Sequence, residues 1–408
     1  MNLRFIKHAL FVFLFLPLSA FSEVSAPSIT TLKFEGHIPF SNTADNYSPK
    51  LSADGKILAF HSKSLYSERA NPIFYNSYIV DRTDDSITLA STPAIFFSNA
   101  EKANGHSFGY EVSNDGDLIA ICSKASNLVE DDNNNHMDLF TYRRSTNEFS
   151  RVSISNNGQE GNGSSCNPSI SANGRYIAFD SEANNLVEND DNNYRDIFIY
   201  DIQTSSITLP NLSNDGSQTI NTQLGASISH DGKFTAFIAQ PKIQSPPRDR
   251  IYLYNADTKH TKQISLSELP NGSIAGNGAN PVISDNAKYI YYRTQINPLS
   301  DIYSFNTETG ETKLITKGIN GEPSNGYCGS LYVSADGNYA VFTSYASNLV
   351  ANDNNNFNDA FIFSAKTETI KKVSIGSDGT DTNNHTYYAT ISADGSTIAF
   401  QSLASNII

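Results

Sequence analysis

The residues of this chain best suited to chemistry lie in three acidic loops of one design: LVEDDNNNHMD from Leu128, LVENDDNNYRD from Leu186 and LVANDNNNFND from Leu349. Aligned on the leucine, Asp132, Asp190 and Asp353 coincide, as do Asn134, Asn192 and Asn355. Asp138, Asp196 and Asp359 close the loops, and Asp131, Asn189 and Asn352 offer oxygens one place earlier. Alternating hard oxygen donors on a tight turn, with a carboxylate a few residues on, form the kind of ligand set that Ca²⁺ requires. The nine aligned residues are therefore the candidate metal site, with calcium the expected ion and a stabilising role expected over a catalytic one. The competing reading is that Asn and Asp recur because they cap nearby amides and tolerate left-handed φ. Each loop also lacks the central Gly and the closing bidentate Glu of an EF-hand.

No other motif assigns a catalytic residue. Gly105-His106-Ser107-Phe108-Gly109 has the G-x-S-x-G spacing of a nucleophile elbow. That device needs a strained strand-to-helix turn on an α/β sheet, and this copy falls between short strand patterns. The histidines His37, His61, His106, His136, His230, His260 and His385 contain no close ligand pair such as H-E-x-x-H. Carboxylates are plentiful, but none is singled out as the separated pair that glycoside hydrolysis uses. Polar loops such as SNNGQEGNGSSCNPS from Ser155, SNDGSQTINTQLGAS from Ser213 and GSDGTDTNNHTYYAT from Gly376 could bind a sugar, a peptide or a partner protein.

Bulk properties narrow the class. With 42 acidic against 28 basic residues the net charge is −14, which repels phosphate backbones and makes nucleic acid a poor partner. Arg4 and Lys7 precede an apolar stretch from Ala9 to Phe21, and Ala20-Phe21-Ser22 offers a small-residue cleavage site. This reads as a secretory signal peptide over 1–22, leaving an exported domain over 23–408 with no membrane span, periplasmic or extracellular. Three cysteines, Cys122, Cys166 and Cys328, allow at most one pair, and the preferred expectation is small buried thiols. There is no Trp, so the 21 Tyr are the main aromatic platforms for stacking a sugar.

These residues are positioned by a repeat. SADGKILAF from Ser52 returns as SNDGDLIAI from Ser113, SANGRYIAF from Ser171, SHDGKFTAF from Ser229, SDNAKYIYY from Ser284, SADGNYAVF from Ser334 and SADGSTIAF from Ser392. A period of 50 to 61 residues marks stacked or radially arranged units. Within one unit, Asn167–Ser171 runs as a strand into an Ala-Asn-Gly turn, and Arg175–Ser181 returns. After the acidic loop come DIFIYD from Asp196 and ITLPNL from Ile207. Four antiparallel strands per unit, called A to D, and no helical period predict an all-β propeller. Seven A–B hairpins predict seven blades. The last would be closed by an N-terminal strand D at 28–34; the sequence supplies no seventh strand C, so this blade is either three-stranded or shortened relative to an ancestral form.

The string RVSISNNGQEGNGSSCNPSISANGRYIAFDSEANNLVENDDNNYRDIFIYD, from Arg151 to Asp201, resembles the WD40-like (PD40) repeat of TolB-type propellers among exported bacterial proteins. The resemblance spans the chain after residue 22 and implies a propeller without the additional N-terminal α/β domain of TolB. It carries no residue-level function, since this fold hosts scaffolds, lyases, peptidase covers and carbohydrate binders. The expectation is an exported, non-catalytic platform for a protein or cell-envelope ligand. The alternative is a secreted metal-dependent polysaccharide lyase or hydrolase with its site at one mouth of the channel.

Overall fold

The recurring Ser-x-Asp-Gly phrase folds as a closed hydrogen-bonded turn. In the first copy Ser52 Oγ donates to Asp54 Oδ1 (2.8 Å) and accepts from Ile57 N (2.9 Å), while Asp54 Oδ1 also accepts from Lys56 N (3.0 Å). Gly55, at φ 66°, supplies the left-handed corner. The same pattern holds at Ser113, Ser171, Ser229, Ser284, Ser334 and Ser392, and all seven serines are buried. A buried hydroxyl that donates and accepts at once accounts for both Ser and Asp in the phrase.

The structure is a computed structural model that describes residues 10–15, 28–31, 46–63, 75–84, 86–90, 103–188, 190–210, 220–241, 248–265, 277–296 and 299–407. Each turn joins strands A and B of a four-stranded antiparallel sheet. Six blades are self-contained, built from four consecutive strands within 46–89, 107–151, 165–208, 220–263, 277–314 and 328–372. They are numbered 1 to 6 below. The expected count of seven such blades is thus corrected to six. A further four-stranded sheet is composite: the hairpin Thr386–Ile391 and Thr397–Ser402 is followed by Leu10–Phe15 and then Ser28–Thr31. Leu10–Phe15, and not the strand at 28–31, pairs directly with Thr397–Ser402 (Leu10 opposite Ser402, Phe15 opposite Thr397). The run LFVFLF supplies aromatic and branched residues that suit a pleated sheet, so it fills the strand C place that the repeat leaves vacant. That sheet is therefore four-stranded, not three-stranded. Phe34 and the neighbouring residues of the expected strand, like most of 1–22, lie outside the described residues.

Each blade is held by apolar strands B and C. A cross-strand aromatic pair recurs at one register: Phe60–Tyr78, Phe179–Phe198, Phe237–Tyr252, Tyr292–Tyr303 and Phe342–Phe361, with centroids 5.7–6.1 Å apart. Strands A line the axis, and each has a β-bulge. Cys122 of blade 2 and Cys166 of blade 3 form a disulfide, so the expectation of three free thiols is overturned for two of them. Cys328 is the free, buried cysteine; burial pushes its thiol up to about 11.

Candidate functional site

Two ends of the ring differ in kind. At one end the seven turns bond to one another through the backbone: Ala53 N donates to Asn114 O, Asn173 N to His230 O and His230 N to Asp285 O. Asp285 N then donates to Ala335 O, Ala335 N to Ala393 O and Ala393 N to Ala53 O, at 2.8–3.2 Å throughout. Asn114 Nδ2 also reaches Asp285 Oδ2 (3.1 Å) from blade 2 to blade 5. The most repeated phrase in the chain therefore makes an annulus that narrows this end of the channel.

The acidic loops lie at the other end, where their side chains are occupied by partners within the fold. Asn134 Nδ2 donates to Asp138 Oδ2 (2.8 Å) while its Oδ1 accepts from His136 N (2.8 Å). Asn192 and Asn355 repeat this with Asp196 and Tyr194 N, and with Asp359 and Phe357 N. Asp138 and Asp359, fully buried, accept from Ser153 Oγ and Ser374 Oγ at the end of strand D. In two loops a cation of the chain itself enters the carboxylates. Lys372 Nζ lies 3.1, 2.8 and 2.8 Å from Asp353, Asp359 and Asp381. Arg151 lies 3.8 Å from Asp132 and pairs with Glu160. The equivalent place in the third loop is Leu209, which is buried. Burial pulls the Lys372 ammonium down, but hydrogen bonds to Asp359 and Asp381 outweigh it and hold it above its ordinary value. Burial pushes the Asp132 carboxyl up to about 6, with Arg151 pulling it down and Asp138 and Glu160 adding to the rise. Asn189 lies outside the described residues. Among the described residues, no group of three or more His, Cys, Asp or Glu is arranged to hold a metal ion.

The D–A loops are pinned as well. Asn104, Asn162, Asn325 and Asn383 each exchange hydrogen bonds with a Ser-Asn or Asn-Asn pair of the B–C loop, as Asn325 does with Ser347 and Asn348. Gly326 lies so close to this loop that a Cβ would meet Ala346 N at 2.4 Å. Part of the loop from Ser213 is outside the described residues. Ser107, the would-be nucleophile, is a buried strand residue bonded to Ser123 Oγ (2.9 Å), so the elbow motif is coincidental. His230 sits in the turn annulus, His260 begins an outer strand, and His385 packs against Tyr345, Phe357 and Tyr387. The side chains of His37 and His61 are outside the described residues.

What remains at the loop end is a pocket of ≈ 550 Å³ made by departures from the repeat. It lies where blades 5 and 6 and the last hairpin meet, lined by Asn280, Arg293, Ser330, Thr343, Asn358 and the tyrosines 327, 332, 345, 387 and 388. Of six exposed large apolar or aromatic side chains among the described residues, three are here: Tyr327 (37%), Tyr345 (45%) and Tyr388 (44%). Tyr345 stands where the other blades carry Lys124 and Glu182. Tyr388 has φ 49°, a left-handed conformation that its counterparts in other blades, Asn167, Gly225 and Asn280, adopt more readily. Holding a tyrosine there costs about 1–2 kcal/mol, and such strain gathers at functional sites.

Arg293 supplies the charge. Its guanidinium packs 4.8 Å from the Tyr327 ring, and Nη1 donates to Tyr327 Oη and to Cys328 O (2.9 Å). Its Nε is buried without a hydrogen-bond partner, and among the described residues no carboxylate pairs with it. Among the described residues, no Asp, Glu or His lines the pocket. The pocket shares Asn280, Leu331 and Tyr332 with the central channel (≈ 520 Å³), where Lys50 pairs with Glu111 (2.6 Å) and packs 4.3 Å from the Tyr332 ring. Sequence reasoning missed Arg293 and this tyrosine group. The available signal was their failure to recur.

No family model and no curated protein matches this sequence. Solved structures do match. One is an oligogalacturonate lyase in complex with manganese, 14% identical over 88% of this chain and 90% of that one, with TM-score 0.53. Another is an oligogalacturonate lyase from Vibrio parahaemolyticus, 12% identical over 89% and 90%, with TM-score 0.53. A TolB-like protein from Agrobacterium tumefaciens is 13% identical over 97% and 98%, with TM-score 0.46. At such identities the likeness is one of fold. The chain is an all-β propeller of four-stranded antiparallel blades.

Proposed function

We propose that the protein is an exported, non-catalytic propeller that binds a cell-envelope ligand at the loop-end mouth of its channel. The observation that carries this reading is the tyrosine-lined pocket, whose other polar groups are Asn, Ser, Thr and Arg, with no carboxylate or imidazole for general acid–base work among the described residues. Recognition by an array of aromatic and amide side chains on a rigid ring needs no chemistry of its own. Export is supported by the Cys122–Cys166 disulfide, since such bonds persist in oxidising compartments, and by the leader-like pattern of residues 1–22. In this reading the hairpin at 386–402 closes the ring beside blade 6. Leu10–Phe15 occupies its outer side only while the leader remains. Calcium, if bound, belongs at Asp190, Asn192 and Asp196, where Leu209 replaces the lysine or arginine that enters the other two acidic loops.

The test is co-sedimentation with isolated envelope polysaccharide, comparing wild type with Tyr345→Ala/Tyr388→Gly. Wild type should pellet, the variant should stay in solution with its fold intact by circular dichroism, and the polymer should keep its length. Equal pelleting of the variant would place binding elsewhere. Shortening of the polymer would make the protein an enzyme.

A further inference from the structure

We infer that the mouth pocket recognises a sugar that carries a carboxylate, a uronic-acid unit within an oligosaccharide, with Arg293 as its anion anchor. This rests on the platform reading above and specifies its ligand. The exposed rings are Tyr327, Tyr345 and Tyr388, which offer flat faces to the C–H side of a pyranose and a hydroxyl at each edge. Ser330, Thr343 and Asn358 place further polar groups on the same wall. Such a lining suits a densely hydroxylated ligand, because every buried polar group of the ligand finds a partner within reach. An apolar peptide side chain would instead ask for an aliphatic socket, and Leu331 is the one aliphatic side chain among the described residues that line this pocket.

The charge of the ligand follows from Arg293. A guanidinium held by Tyr327 Oη, Cys328 O and Asn280 Oδ1 is oriented by the protein but neutralised by no carboxylate among the described residues. It sits in a chain of net charge −14, where Arg143, Arg144, Arg175 and Arg195 each pair with an Asp or Glu. Arginine presents a planar fork that matches a carboxylate in two hydrogen bonds. The acidic surface does not forbid an anionic ligand, because exposed charges are screened beyond about 8–10 Å at physiological salt and no Asp or Glu is among the described residues that line the pocket. Tyr388 keeps its left-handed backbone at a cost in stability, which makes sense if its ring is needed where it stands.

The experiment is isothermal titration of the purified protein with two uronate oligomers, of mannuronate and of galacturonate. Each is compared with the same oligomer after its carboxyls are reduced to primary alcohols. The acid form of at least one backbone should bind about 10- to 100-fold more tightly than its reduced form, the range that a charge-assisted bidentate pair commands. Arg293→Met should abolish that difference, and Arg293→Lys should retain part of it because the charge stays but the fork is lost. Tyr388→Gly should weaken both forms alike, while leaving the melting temperature equal or higher since glycine relieves the strain. Equal binding of acid and reduced forms, unchanged by Arg293→Met, would overturn the carboxylate assignment and leave the platform reading standing. No binding of any oligomer would also overturn it. If Tyr345→Ala/Tyr388→Gly then pellets with envelope polysaccharide as wild type does, the platform reading falls too.

Discussion

Lys372 behaves as a built-in cation, and replacing it with methionine tests that account directly. In the folded protein its ammonium, 7% exposed, sits 2.8–3.1 Å from Asp353, Asp359 and Asp381, whose side chains are 5%, 0% and 29% exposed. Removing one partner of a buried ion pair leaves the other charge uncompensated and costs about 3–5 kcal/mol. Because Asp381 keeps contact with water, the lower end, about 3 kcal/mol, is expected here. The deficit should also depend on pH. Burial already pushes the Asp353 carboxyl up, against the pull of Lys372, and Asp359 and Asp381 add to the rise. Without Lys372 that pull is gone, so the carboxyl moves higher still. A carboxyl whose folded value exceeds its unfolded one favours folding most when protonated, and stability falls as pH rises through the folded value. Lys372 itself is raised, so its contribution in wild type is lost only in the alkaline range, above its unfolded value. Urea unfolding followed by circular dichroism at pH 4, 6 and 8 should therefore show the Lys372→Met deficit growing from under about 1 to about 3 kcal/mol. Millimolar Ca²⁺ should restore part of it, since three carboxylates would surround an emptied socket suited to a hard divalent ion. A deficit within about 0.5 kcal/mol, the range of ordinary surface changes, or one independent of pH, would refute the reasoning.

Asp132 gives a test of opposite sign. With its carboxyl pushed up to about 6, ionisation opposes folding, so Asp132→Asn should raise stability at pH 8 by about 1–2 kcal/mol after allowance for solvent screening. The gain should vanish below pH 4, and a loss at pH 8 would show that the Arg151 pair dominates. Replacing Cys122 and Cys166 with serine frees a 44-residue separation and should cost about 2–4 kcal/mol, measured by denaturant melts with and without reductant. A melt unchanged by reductant would mean that the bond does not form in the purified protein. Chelator against millimolar Ca²⁺ should shift the wild-type melting midpoint through the 186–196 loop, and Asp190→Ala/Asn192→Ala should remove that shift. If wild type shows no shift, the loop is an Asn/Asp turn like its two relatives.

Much of the fold was legible because it rests on local chemistry. The Ser-x-Asp-Gly phrase specifies a turn whose hydrogen bonds stay within six residues, and the alternating strands beside it reveal which face is buried. Strand C was read at Asp196–Asp201 with the bounds that the structure has. The strand D expected as ITLPNL from Ile207 is shorter in the structure, Ser206–Thr208. At Val152-Ser153 and Val373-Ser374 the chain leaves the sheet so that Ser153 and Ser374 can cap Asp138 and Asp359. The partner that Leu10–Phe15 finds in Thr397–Ser402 was not legible, because a leader-like run and a buried strand share one apolar composition.

The amino-acid sequence by itself determined the repeat, the four-stranded unit, the turns and the loops that carry Asp and Asn, since each depends on contacts between near neighbours. Tertiary structure decided which residues distant along the chain meet: Lys372 with Asp353 and Asp381 within and beside blade 6, and, across blades, Cys122 with Cys166 and Arg293 with Tyr327 beside Tyr388. Repetition advertises what every blade needs for folding. A site assembled once, from single departures on neighbouring blades, has no period to betray it and becomes visible only when the ring brings those departures together.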